Sequence, residues 1–306
     1  MTRIDSWSHC GEREAKRRDG SMSMISKRRI ERAVRELMPL SDAAQALVRM
    51  SHDPDHSSAD IVRIVERDAA LTIRVLRIAN SPVVAPISPV ESLAQAVSLM
   101  GEDKIVTAAL SIGANWMKES LSGYGPDARI FDNGLKTAIA AGLIAKRQGH
   151  AELAPLAYTG GLLHDIGKAV LSAFLEPEVS STIEAVESGR AADWLAAEKA
   201  ELGVDHCEVG AMVADHFNLG PALRSVIAHH HVPGEAAEEH TDLVKIVHAA
   251  DGIRALMGGD GSVDALAYPL EVRVLEDLDL DPERFSEILC DALTESTALA
   301  EAVGSA

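Results

Sequence analysis

The sequence predicts an all-α protein, and both its composition and its periodicity indicate this. Aromatic residues make up 3% of the 306 residues and apolar residues 47%, so most of the apolar content is aliphatic. Small aliphatic side chains favour packed helices, whereas sheets are enriched in aromatic and β-branched residues. From about residue 27 onward, apolar residues recur at helical spacing, and no alternating apolar–polar run extends beyond a few residues.

The first half of the chain is predicted to be a series of short helices. Ser57 begins one of them, with Asp60 three residues later as a capping-box partner. The three prolines of SPVVAPISPVES predict a loop at residues 81–92. Helices are also predicted at about 91–99 and 103–118. The glycine-rich segment 121–134 is the predicted boundary between two helical halves.

The second half is also predicted to be helical, with a loop at 258–269. Its predicted helices cover residues 135–149, 156–174, 176–188, 191–202, 205–217, 221–231, 240–257 and 283–303. The predicted organisation is a flexible basic extension (1–29), an N-terminal helical lobe (30–120), a second helical lobe (130–255) and an acidic loop with a C-terminal helix (256–306).

The charge distribution argues against nucleic acid as a partner. Residues 1–35 carry ten basic and five acidic residues, and the rest carries 19 basic and 42 acidic, which gives −23 for that part and −18 overall. An acidic body repels phosphate backbones, so binding to nucleic acid would depend on the basic N-terminal residues alone.

Cysteine usage and hydropathy predict a cytoplasmic protein with no membrane partner. The three cysteines (Cys10, Cys207 and Cys290) are far apart and form neither a disulfide framework nor a CxxC pair. No apolar run approaches the roughly 18 residues of a membrane span.

Histidines and aspartates of the second half are the candidate site residues. His164 and Asp165 are adjacent in GLLHDIGK, so both can face one metal ion only at a bend or helix end, for which Gly167 offers flexibility. His206, His230 and Asp251 each lie on the apolar face of a predicted helix. A buried carboxylate needs a partner, and imidazole with carboxylate suits Fe, Mn or Zn.

Each of these residues also has a plainer interpretation. A single buried histidine commonly bonds a carbonyl group, Asp251 can pair with Arg254, and Lys168 can be either a phosphate contact or a solvated lysine. Cys207 is expected to be a small buried apolar side chain. His231 and His56 are expected at the surface. The ordered set of histidines and aspartates, more than any one member, favours a shared polar site.

The order HD, H, HH, D resembles the HD superfamily of metal-dependent phosphohydrolases. The stretches ERDAALTIRVLRIANS and SLAQAVSLMG make the resemblance more specific, to the HDOD domain of bacterial signalling proteins, over about residues 35–255. The resemblance implies two helical lobes, an N-terminal bundle packed on an HD-like core. It also implies a role in signal transduction that often lacks catalysis.

The resemblance also implies a set of metal ligands for one or two divalent ions (Fe, Mn or Zn), or for none if the site is degenerate. The matching positions are His164, Asp165, His206, His229, His230 and Asp251, with Lys168 as the catalytic lysine. Asn133 stands where HD enzymes have their first histidine ligand. The sequence HHHVPGE lacks the GYP element of cyclic-dinucleotide phosphodiesterases.

Two functions follow from this resemblance. The first is a non-catalytic output module that binds a signalling protein or a small nucleotide-like ligand. The second is a metal-dependent phosphohydrolase.

Overall fold

The computed structural model describes residues 22–36, 42–50, 56–81, 84, 86–102, 104–105, 130–175, 186, 188–257 and 270–304. Within these ranges the chain forms α-helices and 3₁₀ turns and contains no β-strand, which confirms the all-α prediction. The first five helices are α1 (Met22–Glu36), α2 (Asp42–Met50), α3 (Ser58–Val65), α4 (Ala69–Ala79) and α5 (Leu93–Met100).

The second half contains nine further described helices. They are α6 (Ile130–Arg147), α7 (Ala154–Leu163), α8 (Ile166–Leu175), α9 (Trp194–Leu202), α10 (His206–Phe217), α11 (Pro221–His229), α12 (Thr241–Met257), α13 (Val272–Asp277) and α14 (Pro282–Gly304). The 3₁₀ turns are Ala151–Leu153, Pro233–Glu235 and Glu238–His240.

Several predicted elements lie partly or wholly outside the described residues. These are most of the helices at 103–118 and 176–188, the loop at 258–269, and the boundary segment 121–134 as far as residue 129. From Ile130 the chain is already helical, five residues before the predicted start of that helix.

Local signals in the first half act as predicted. The Ser57 backbone N–H donates to the Asp60 carboxylate at 2.9 Å, which forms the capping box at the start of α3. After α4, the Asn80 side chain bonds both backbone groups of Val90, at 2.7 and 2.8 Å, and so closes the proline-rich loop. Helices α2 to α5 then pack against one another.

Glycines let the helices of the second half approach closely. A Cβ on Gly161 of α7 would lie 2.8 Å from the Ala138 backbone of α6. A Cβ on Gly167 of α8 would lie 1.9 Å from the His206 carbonyl oxygen of α10. Gly167 therefore serves close packing inside a helix, which corrects the expectation that it supplies flexibility at a bend.

Both ends of the described chain pack on the second lobe. Helix α1 begins at Met22, within the segment predicted as an extension, and packs on α8, α9 and α10 through buried Ile30 and Val34. Helix α14 packs on α6 and α12, with Ile288 and Ala292 fully buried. Among the described residues, no helix combines the length and apolarity needed to span a membrane.

Candidate metal centre

His164 and Asp165 occupy the two-residue turn between α7 and α8, which supplies the bend that the adjacent pair requires. The His164 ring donates from Nδ1 to the Gly161 carbonyl oxygen at 2.7 Å. Its Nε2 lies 3.2 Å from Asp165 Oδ2 and 3.4 Å from Asp251 Oδ1. Both side chains are buried, and the turn directs them to one point.

His206 is the first residue of α10, and a buried carboxylate fixes its orientation. Glu198 of α9 accepts hydrogen bonds from the His206 backbone N–H at 2.7 Å and from its Nδ1 at 2.8 Å. The other ring nitrogen, Nε2, lies 3.5 Å from Asp165 Oδ1. A carboxylate that bonds one imidazole nitrogen and leaves the other facing the site is the usual support of a metal-binding histidine.

The end of α11 determines which of the three consecutive histidines joins the cluster. His230 donates from Nδ1 to the Ile227 carbonyl oxygen at 3.1 Å, and its Nε2 lies 3.6 Å from Asp165 Oδ1. His231 follows the end of the helix, and its Nε2 lies 3.2 Å from Nε2 of His206. His229, a proposed ligand, is half-buried and belongs to neither group of donor atoms. His231 therefore joins the site, contrary to its expected surface position.

Each aspartate of the cluster is paired with a buried cation three residues further along the chain. The Lys168 ammonium donates to Asp165 Oδ2 at 2.9 Å. The Arg254 guanidinium donates to Asp251 Oδ1 from Nε at 3.0 Å and from Nη2 at 2.8 Å. All four side chains are buried. Lys168 thus lies in the site, but its ammonium bonds a carboxylate of the protein, whereas the sequence left open a phosphate contact or a solvated lysine.

Buried nitrogen and oxygen atoms without hydrogen-bond partners indicate whether these residues fit a metal ion. His164 Nε2, His230 Nε2 and Asp165 Oδ1 are buried and have no hydrogen-bond partner among the described residues. One donor atom from each of these three side chains lies within 4.8 Å of the others. Around an ion with bonds of about 2.0–2.1 Å, neighbouring ligand atoms are roughly 3 Å apart, so small shifts would bring these atoms onto one ion. The donor set therefore fits a divalent metal.

Charges in the cluster outweigh the effect of burial on several pKa values. Burial would raise the pKa of Asp165, but His164 and Lys168 hold it well below its ordinary value. Burial would lower the pKa of His206, but Glu198 and Cys207 raise it well above its ordinary value. Burial and the charges of His230 and His206 together lower the pKa of His231. The neutral form of His231 is therefore favoured in this cluster.

The thiol of Cys207 lies in the same electrostatic environment. It is buried, as expected, and its Sγ lies 3.9 Å from Nδ1 of His230. Burial would raise its pKa, but His230 and His206 outweigh burial and lower the pKa to about 7.

Sequence reasoning missed Glu198 and His248. Glu198 lies on the face of α9 that also buries Trp194 and Leu202, and a charged residue on an apolar face is the signal that could have identified it. His248 of α12 donates from Nδ1 to the His230 carbonyl oxygen at 2.8 Å. Its Nε2 accepts from the Glu271 backbone N–H at 3.1 Å, so it links the cluster to the segment before α13.

Asn133 lies in the first turn of α6, as the resemblance implied for the missing ligand. Its side chain is buried, and its Oδ1 has no hydrogen-bond partner among the described residues. An amide oxygen is a weaker ligand than imidazole for a transition metal.

Comparison with known families shows which family this chain belongs to. A family model of the HDOD domain matches residues 37–233, which is well over half of the chain. The chain is a member of the HDOD family. The match begins beyond α1 and ends before α12, so α1, α12, α13 and α14 lie outside it.

Solved structures agree with the HDOD assignment. An HDOD domain protein of unknown function from Geobacter sulfurreducens is 26% identical and has a TM-score of 0.66, over 92% of this chain and 94% of that one. A protein from Marinobacter aquaeolei VT8, provisionally named a signal transduction protein, has a TM-score of 0.75 at 21% identity, over 92% of this chain and 66% of that one. The second likeness concerns the fold alone.

An uncharacterized protein from Treponema pallidum (strain Nichols) is 25% identical to this HDOD chain over 213 residues. The match covers 69% of this chain and 41% of that protein, so the HDOD chain spans about two fifths of the length of this relative.

Proposed function

We propose that this HDOD chain is a non-catalytic signalling module that acts by binding a partner protein or a small nucleotide-like ligand. The observation that supports this most is that the carboxylates of the centre are neutralised by the protein itself. Lys168 bonds Asp165, and Arg254 bonds Asp251 through two nitrogens. A hydrolytic pair of ions would have to displace or oppose both buried cations.

Burial of the ligands also favours a non-catalytic role. His164, His206 and His230 have 0% exposed surface. Of the imidazoles in the cluster, His231 is the one that is partly exposed. A catalytic metal keeps a ligand position open to water and substrate, whereas a metal that stabilises structure is enclosed by the protein. Asn133 stands where the HD resemblance implies a first histidine ligand, and its amide oxygen would bind a transition metal more weakly than imidazole.

A phosphoesterase panel tests this proposal. Wild-type protein would be incubated with Mn²⁺, Fe²⁺ or Zn²⁺ and with phosphomonoesters, phosphodiesters, nucleotides and cyclic dinucleotides. We expect turnover no higher than that of D165N, because the histidines of the centre are enclosed and its carboxylates are already paired with Lys168 and Arg254. D215N is the matched control, since Asp215 forms an exposed ion pair with Arg224. Metal-dependent turnover in wild type and D215N that is lost in D165N would overturn the proposal.

The second candidate is a metal-dependent phosphohydrolase, and one observation favours it. His164 Nε2, His230 Nε2 and Asp165 Oδ1 converge without partners, as ligands of one ion would. A divalent ion bound there would supply an activated water for phosphoester hydrolysis. His164 and His230 would hold it through Nε2, while Glu198 would keep His206 oriented toward it. The same panel distinguishes the two candidates, because this one requires turnover that depends on Asp165.

A further inference from the structure

The thiol of Cys207 adds a sulfur donor to the imidazoles of the cluster. Four side chains each offer one donor atom within 4.8 Å of the other three: His206, Cys207, His230 and His231. Cys207 is 5% exposed, so this sulfur faces the protein interior. Cysteine is absent from the ligand set that the HD resemblance implies, so the sulfur changes what this centre can bind.

The hydrogen bonds of the rings show which atoms are available. Nδ1 of His230 donates to the Ile227 carbonyl oxygen at 3.1 Å and lies 3.9 Å from Cys207 Sγ, so this nitrogen is already used inside the protein. Nε2 of His230 faces Asp165. His230 therefore belongs to the carboxylate side of the cluster.

His206 and His231 each have a ring nitrogen within 4.8 Å of the sulfur. Nε2 of His206 and Nε2 of His231 are 3.2 Å apart, close to the separation of about 3 Å expected for two nitrogens on one zinc ion. Glu198 holds His206 with Nε2 facing this point. Without a metal, the two nitrogens are at hydrogen-bond distance from each other.

We propose that Cys207, His206 and His231 form a zinc site of thiolate and imidazole ligands, next to the carboxylate half of the centre. A thiolate with two imidazoles selects a soft or borderline ion such as Zn²⁺ over Mn²⁺ or Mg²⁺, which prefer oxygen. This half of the cluster contains no carboxylate ligand, so the ion would not compete with Lys168 or Arg254. The site is independent of the non-catalytic role proposed above. It would use the same His206 Nε2 as the ion of the second candidate, so this atom can serve only one of the two ions.

Cobalt substitution tests the sulfur ligand directly. Co²⁺ would be added to metal-free C10A/C290A protein, in which Cys207 is the remaining thiol of the three in the sequence. We expect a near-ultraviolet absorption from thiolate-to-cobalt charge transfer. Adding C207A or C207S to this protein should remove the absorption. Zn²⁺ affinity, measured by competition with a chelating dye, should fall by about 100-fold or more, beyond the loss typical of a supporting residue.

Two results would overturn the proposal of this zinc site. The first is C10A/C290A protein that binds Co²⁺ without the charge-transfer absorption, which would place the ion on nitrogen and oxygen donors alone. The second is C10A/C290A protein that binds neither Co²⁺ nor Zn²⁺. Because both results come from a protein that retains Cys207, they hold even if C207A fails to fold. Neither measures phosphoester turnover, so this proposal and the proposed function can fail separately.

Discussion

At the scale of single residues, the centre is organised by the atoms that hold each imidazole. In His164 and His230, Nδ1 bonds a backbone carbonyl of the preceding turn, and in His206 it bonds Glu198. One ring nitrogen is thus fixed as a donor, and Nε2 faces the cluster. The arrangement is ready for a metal ion because the protein fixes the tautomers.

Glu198 is the residue whose change would test this orientation. Both hydrogen bonds of His206 go to one oxygen of Glu198, and in E198Q the amide oxygen that replaces it carries no negative charge, so it holds the His206 ring less firmly. We expect the affinity for Zn²⁺ or Co²⁺ to fall by about 10- to 100-fold, with the fold retained. E201Q on the same helix is the control, and competition titration is the measurement. Equal affinities of E198Q and E201Q would contradict this role.

Arg254 carries the charge balance of Asp251. In R254M the buried carboxylate loses its main partner, and we expect a loss of about 3–5 kcal/mol in the free energy of unfolding. R224M is the matched control, because Arg224 forms its ion pair with Asp215 at the exposed surface, where loss of a pair costs under about 1 kcal/mol. Urea denaturation compares the two variants. Equal losses would contradict the role given to Arg254.

The same pair predicts a dependence on pH. Burial would raise the pKa of Asp251, but Arg254 and His164 hold it well below its ordinary value. The stability it contributes is therefore present above its unfolded pKa of about 3.9 and is lost as pH falls through the lower folded-state pKa. In R254M that loss should begin at a higher pH, as urea denaturation at successive pH values would detect. An unchanged pH profile would mean that Arg254 does not set this pKa.

At the scale of helices, close approach of α8 and α10 brings the HD pair to His206. Gly167 makes this approach possible, since a Cβ there would lie 1.9 Å from the His206 carbonyl oxygen. We expect G167A to destabilise the fold by about 3 kcal/mol or more, because a backbone atom cannot move aside as a side chain can. Thermal unfolding measures this. G234A is the control, since its Cβ would meet nothing within 4 Å. A neutral G167A would contradict the packing argument.

At the scale of the whole molecule, the fold includes helices outside the HDOD match. Helix α14 covers α6 and α12, and His248 ties the centre to the segment before α13. Because α12 also carries Asp251, the C-terminal residues support a helix that contributes to the centre.

Ile288 tests whether α14 is part of this core. It is fully buried, so I288A should cost about 2–5 kcal/mol through lost burial and the cavity left behind. L293A, on the same helix but 44% exposed, should cost much less. Denaturant unfolding of the two variants gives the comparison. A small effect of I288A would mean that α14 packs loosely on α6 and α12.

The sequence by itself determined the helical class, the capping box at Ser57 and the candidate status of the HD pair, His206, His230 and Asp251. These depend on local spacing, because a residue's position in a helical repeat determines the direction of its side chain relative to its own helix. The bend that adjacent His164 and Asp165 require follows from the same geometry.

Tertiary structure alone decided which atoms meet in the centre. His231 joins it because α11 ends at His229 and the chain turns there. Glu198 bonds His206 because α9 packs where its carboxylate faces the start of α10. The contact of Arg254 with Asp251 lies within α12 and was expected from the sequence as one possibility. The tertiary structure added His164, whose Nε2 lies 3.4 Å from the same carboxylate. Such contacts depend on what faces a side chain from other helices, which periodicity along one helix does not contain.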